Sequence, residues 1–197
     1  MSLSTQLSSK YSPDNMPLFK FKELLLRAGL TIDFPVGATI IEYKEEFAIT
    51  VTGEGQTPFQ ETQQSFFDCV KSNPLHLVYN IYGSIDGYIG ESATVETAYA
   101  LVCKKPVVLI RNMLFGPKAP RSIVEIIEKR RSKLYVLPLD ALTAPEVLTT
   151  LEGVVKSTPK IDYRLTRTER NVIKKEMVIL LEKYYQAWTR YFSSKHP

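Results

Sequence analysis

One stretch limits the possible folds more than any other: LVYNIYGSIDGYIGESATVETAYALVCKKPVVLI, residues 77–110. Two near-continuous apolar runs bracket a loop holding Gly83, Gly87 and Gly90 and then a helical pattern. An unbroken apolar run suits a strand buried on both faces, which is the habit of parallel sheets. Two such strands joined through a helix make a βαβ unit. The rhythm continues with a helix in RSIVEIIEKRR, a strand in KLYVLP and a helix in APEVLTTLEGVV. The expected fold is therefore α/β: an open, mostly parallel sheet with helices on both faces, Rossmann-like or flavodoxin-like.

Upstream, LFKFKELLLRAG carries a helical stripe closed by Gly29, and LTIDFP reads as a short extended piece. ATIIEY and EFAITVT are β-rich runs separated by charges, and FQETQQSFFDCVKS returns to helical spacing until Asn73-Pro74. The first residues, MSLSTQLSSKYSPDNMP, lack an apolar core and are read as a loose arm, not a secretory signal. Residues 1–16 are thus assigned to a flexible arm, 17–158 to the α/β domain and 159–197 to a C-terminal helical extension.

That extension opens on Thr166-Arg-Thr-Glu169, the spacing of a capping box. Ile173, Met177, Leu180, Leu181, Tyr184, Trp188 and Tyr191 then recur at three- and four-residue steps. A stripe of that length has to be covered, either by its own domain or by the same helix of another subunit. From Lys160 onward nine Lys/Arg stand against four Asp/Glu, so the +4 formal charge of the chain belongs to this segment. Its basic face, with Lys174, Lys175, Lys183 and Arg190, is read as solvated, and nucleic acid is not expected as a partner. Cys69 and Cys103 are expected as buried free thiols of a cytoplasmic protein. With His76 and His196 as the imidazoles, no metal is expected, and no run is long and apolar enough for a membrane span.

The candidate site is the glycine loop and the helix behind it. In parallel α/β sheets ligands bind beyond the C-terminal ends of the strands, and this loop leaves such an end. Ser92 and Thr94 are natural caps for the helix. Glu96 is the one charged side chain between Ser92 and Cys103. An acid near a helix start is favoured by the dipole alone. On a helix made otherwise of small, apolar and hydroxyl residues, it also suits the floor of a pocket. Asp86 and Glu91 supply further carboxylates on the loop.

Asn80, Asp86-Gly87-Tyr88-Ile89-Gly90, Ser92, Thr94, Glu96, Tyr99-Ala100 and Lys105-Pro106 follow one another in an order that resembles the signature of the nucleoside 2-deoxyribosyltransferase-like family. The resemblance spans roughly residues 30–112 and includes DFPVGATIIEYKEEFAI upstream. It implies that Glu96 is a nucleophile toward the anomeric carbon of a nucleoside or nucleotide. Asp86 then becomes the candidate for protonating the leaving base. Tyr88 would border the base, Asn80 and Ser92 would hold sugar hydroxyls, and Gly87 and Gly90 would let the backbone approach. No cofactor is implied, and the partners are a small-molecule nucleoside or nucleotide and further copies of the chain. In two respects the chain departs from the pattern. The family opens with a strand ending in Gly-Ser, where this sequence has the polar arm, and several members carry aspartate at the position of Gly90. A catalytically inactive nucleotide-binding module and an assembly protein working through its last helix are the alternatives.

Overall fold

A computed structural model describes residues 2–6, 31–32, 38–44, 47–52, 67–68, 70–71, 73–78, 88–138, 141, 146–158 and 160–195. The expected helix in 18–29, and Asn80, Gly83, Asp86 and Gly87, lie outside the described residues.

The architecture is α/β. Strands β5 (His76–Val78), β7 (Val107–Ile110) and β9 (Tyr135–Leu137) pair in parallel. Every residue of β5 and β7 is buried, His76 included, as suits strands of near-continuous apolar runs. On the far side of β5 the sheet continues through β1 (Ser2–Gln6) and β2 (Thr31–Ile32), also parallel, in the order β2-β1-β5-β7-β9. Strands β3 (Ala38–Lys44) and β4 (Phe47–Thr52) form a separate antiparallel hairpin with a register shift between Ile40 and Glu42.

Strand β1 corrects the reading of the N-terminus. Ser-Leu-Ser-Thr-Gln has a single aliphatic residue, so no apolar alternation announces it. Its backbone is nevertheless paired on both sides, with Ser4, Thr5 and Gln6 opposite His76, Leu77 and Val78. Ladder hydrogen bonds from two neighbours hold a sequence that would not be called a strand from its own propensity.

Helix α1 (Glu91–Val102) connects β5 to β7 after a two-residue strand β6 (Tyr88–Ile89). Strand β8 (Leu114–Phe115) pairs in parallel with β6, and helix α2 (Arg121–Glu128) follows. Helix α3 (Val147–Ser157) comes after β9, and α4 (Arg167–Lys195) is the long C-terminal helix. Phe67, Asp68, Val70 and Lys71 are helical, as the spacing in that region predicts.

Helix α1 is the centre of the core. Ala93, Val95, Ala98, Ala100 and Leu101 are each at most 1% exposed, packed with residues of β5, β7, α2 and α4. Its end is a Schellman motif: Lys105 N–H donates to Ala100 O at 3.0 Å and Lys104 N–H to Leu101 O at 3.1 Å. Both lysines lie just past the last helical residue. Lys104 occupies the left-handed position with φ 56°, where glycine avoids the Cβ penalty. Lys104→Gly is expected to raise stability by roughly 0.5–1 kcal/mol, measurable as a higher urea midpoint with an unchanged m-value.

Helix α4 packs back on its own chain. Ile173 and Leu180 are buried and Met177 and Leu181 half-buried, facing α1 and α2. The capping box forms as the spacing predicts: Glu169 N–H donates to Thr166 Oγ1 at 3.1 Å, and Thr166 N–H donates to Glu169 Oε2 at 2.9 Å. The linker ahead of the helix enters the same core, with Tyr163 buried and its hydroxyl donating to Lys105 O at 2.7 Å.

Arg130 locks this arrangement. The residue is 7% exposed, and its guanidinium spends its donors on Glu169 Oε1 and Oε2, at 3.1 and 2.6 Å, and on three carbonyls. Those carbonyls belong to Tyr163, Ile126 and Arg164, at 2.7, 2.8 and 3.2 Å. A buried arginine is tolerable when its charge is matched and every N–H is used.

Candidate functional site

The C-terminal ends of β5 and β7 and the N-terminus of α1 lie along one edge of the sheet. Gly90 is the N-cap residue, extended at φ −72° and ψ 169°, with no side-chain cap. Thr94 N–H and Thr94 Oγ1 both donate to Gly90 O, at 3.0 and 2.7 Å. Thr97 Oγ1 donates to Ala93 O at 2.6 Å. Thr94 is thus no cap, contrary to expectation. It lies a full turn inside the helix, and its hydroxyl is turned back on the preceding carbonyl. Ser92 is likewise a helical residue, not the cap.

The helix also begins earlier than the motif suggests, so Glu91 is the first-turn acid that the dipole favours. Glu96 is the sixth helical residue and is 3% exposed. It does not face water. Residues 93–98 are all buried, and within them Thr94, Glu96 and Thr97 are the polar members. Keeping a carboxylate in such a place costs several kcal/mol unless the surroundings compensate, so solubility does not account for it.

Glu96, Tyr99 and Cys103 recur at three- and four-residue steps and form one stripe along α1. Phe67 meets Tyr99 edge-on, with ring centroids 5.4 Å apart. Burial pushes the Tyr99 phenol above its ordinary value, and the neighbouring Cys103 adds to the shift. Burial likewise raises the Cys103 thiol, outweighing its hydrogen bond with Tyr99 and the charges of Lys105 and Lys71. Cys103 is free, as expected, but half-buried where full burial was anticipated, because it sits at the end of the helix. Cys69 lies outside the described residues.

The other expected residues divide in two. Tyr88 is in β6, paired opposite Leu114, and Gly90 precedes α1, so both lie at the sheet edge with the start of the helix. Asn80, Asp86 and Gly87 lie outside the described residues.

Three features of this edge had no local signal. The β6–β8 ladder ties the loop ahead of α1 to the loop after β7, and Gly116 N–H donates to Ile89 O at 2.8 Å. Arg131 holds that second loop: it donates to Asn112 Oδ1 at 2.9 Å and to Met113 O at 2.5 Å, and sits 5.9 Å from the Phe115 ring centroid. Lys183 of α4, read as part of a solvated face, donates to Glu91 Oε2 at 2.7 Å. Helix α4 therefore runs antiparallel to α1, from Arg130 and Lys105 at one end to Glu91 at the other. It continues about 18 Å past that contact to Lys195.

An open hollow of about 340 Å³ lined by Ser132, Lys133, Leu134, Tyr135, Thr158 and Ile161 lies at the start of β9, the edge opposite Gly90. None of the expected site residues lines it. Among the described residues no group of three or more His, Cys, Asp or Glu could hold a metal ion. No described helix is long and apolar enough to cross a membrane.

Comparison of the chain with protein-family models, with curated proteins and with solved structures gives no match.

Proposed function

We propose that this chain cleaves or exchanges the N-glycosidic bond of a nucleoside or nucleotide, as a nucleoside 2-deoxyribosyltransferase-like enzyme with Glu96 as nucleophile. The observation that carries the reading is the burial of Glu96, a carboxylate held in the interior of the helix that leaves the C-terminal edge of the parallel sheet. The strand order supports it. Counting only sheet strands, β2-β1-β5-β7-β9 is the 2-1-3-4-5 order of flavodoxin-like folds, whose ligands bind where the order reverses. Here that point is between β1 and β5, and residues 79–87 follow β5 in the sequence. Strand β1 supports it too, as a parallel strand beside β5, although the sequence after it has no Gly-Ser.

In the proposed reaction a Glu96 carboxylate oxygen bonds to C1′ of the sugar as the bond from C1′ to the base nitrogen breaks. The bonding pair leaves with the base, which takes a proton from Asp86 or from water. The resulting glycosyl ester is opened by a second base or by water at C1′, releasing the carboxylate. A carboxylate suits this role because the transition state is oxocarbenium-like, so fixed negative charge and position do most of the work. Further copies of the chain are expected partners under this reading and under its alternatives alike.

The test is release of free base from deoxynucleosides and their monophosphates, followed by chromatography. Glu96→Gln keeps the shape and removes the nucleophile; the expected loss is at least about 10³-fold, with the thermal unfolding midpoint retained. No release from any substrate, or an undiminished rate in Glu96→Gln, would overturn the assignment. Calorimetric binding of a nucleotide without turnover would replace it with a binding module.

A further inference from the structure

Helix α4 has a second face that its own domain leaves open. Asn171, Lys174, Lys175, Val178, Ile179, Glu182 and Gln186 are exposed, opposite the buried Ile173 and Leu180. Val178 and Ile179 are 54% and 43% exposed, two adjacent β-branched side chains at the middle of the face.

The arrangement around those two is self-complementary. Three residues before Val178 is Lys175, and three after Ile179 is Glu182. Seven before Val178 is Asn171, and seven after Ile179 is Gln186. A two-fold axis perpendicular to the helix and passing between Val178 and Ile179 therefore sets Lys175 of one copy against Glu182 of the other, twice. It also sets Asn171 against Gln186 and gathers both Val–Ile pairs into one apolar layer. This is the signature of an isologous interface, in which one patch recognises itself. Neither Lys175 nor Glu182 makes an ion pair with a described residue of its own chain. Lys174 would come near the partner's Lys183 at the flank, where Glu91 already draws off that charge at 2.7 Å. A parallel pairing in register would instead set Lys175 on Lys175 and Glu182 on Glu182.

We propose that two copies of this chain associate through the outward faces of α4, antiparallel, about an axis between Val178 and Ile179. The helix runs from Arg167 to Lys195, so the shared stretch is about 36 Å long. The proposal is independent of the catalytic reading.

The experiment is charge reversal followed by sedimentation velocity on the full chain, up to about 100 μM. The parent chain is expected to be a dimer. Lys175→Glu alone and Glu182→Lys alone each create two like-charge contacts, and each weakens the dimer by about tenfold or more. The double variant K175E/E182K recreates both contacts with the signs exchanged and restores association to within about threefold of the parent. Both positions are exposed, so circular dichroism and the melting midpoint should remain those of the parent. A further variant, Ile179→Asp, puts carboxylates in the apolar layer and is expected to give monomer. A monomeric parent, a dimer indifferent to either single reversal, or a double variant no better than the singles overturns the proposal.

Discussion

Arg130→Met is expected to lower the unfolding free energy by about 3–5 kcal/mol, the usual cost of breaking a buried ion pair by removing one partner. The substitution keeps the aliphatic stem, so the loss reports the guanidinium. Arg130 joins the end of α2, the linker at Tyr163 and Arg164, and the first turn of α4 through Glu169. Without it Glu169 keeps only its capping-box contacts and the flanking Lys129 at 3.8 Å. A calorimetric midpoint lowered by on the order of 10 °C is the expected readout. The double variant R130M/E169L separates charge from geometry. If the pair mattered only as two opposite charges, apolar replacement of both would recover most of the loss. Because Arg130 also satisfies three carbonyls, recovery is expected to be poor. A double variant as stable as the parent would refute this account of the junction.

Acid should weaken the fold well above the carboxylate range. His76 is fully buried in β5, between β1 and β7, and desolvation lowers its pKa from 6.5 to about 4. The unfolded chain therefore takes up a proton near pH 6.5 that the folded chain refuses until about pH 4. Between those values the unfolded state binds more protons, so stability falls as pH falls, by roughly 3 kcal/mol across the window. Glu169 acts in a separate, lower range. Burial pushes its carboxyl up, but the Arg130 hydrogen bonds and charge, with the Thr166 contacts, outweigh this and hold it below 4.5. Its contribution is thus present above pH 4.5 and lost only below it. Urea titrations from pH 7.5 to 4.5 cover the His76 window and stay above the Glu169 range. His76→Leu, free of an ionising group on that strand, should flatten the profile through this range. A parent chain equally stable at pH 7 and pH 5 would contradict the burial of a neutral imidazole.

For several described segments with a strong pattern of their own, sequence and structure agree. The near-continuous apolar run that includes 76–78 and the apolar run at 107–110 give buried parallel strands, and the capping box at Thr166 and Glu169 forms with both reciprocal hydrogen bonds. These features need only neighbours a few residues away, or burial of a whole run. The site was legible to a lesser degree. Glu96 stood out as a lone acid in an apolar helix, and its burial excludes the idea that it merely faces water. Its position was misjudged because Gly90 caps without a side chain, so the hydroxyls at Ser92 and Thr94 drew the helix start too late.

Tertiary structure alone decided the rest. Ser2–Gln6 becomes a strand because β2 and β5 flank it, not because of its composition. Lys183 meets Glu91 across 92 residues of sequence, and Arg130 meets Glu169 across 39. Local amphipathicity told that α4 needed cover on one stripe; only packing against α1 and α2 showed which stripe was already covered and left Val178 and Ile179 outside. Periodicity is a property of a segment, and the choice of partner is a property of the whole chain, made by closure of the core around α1.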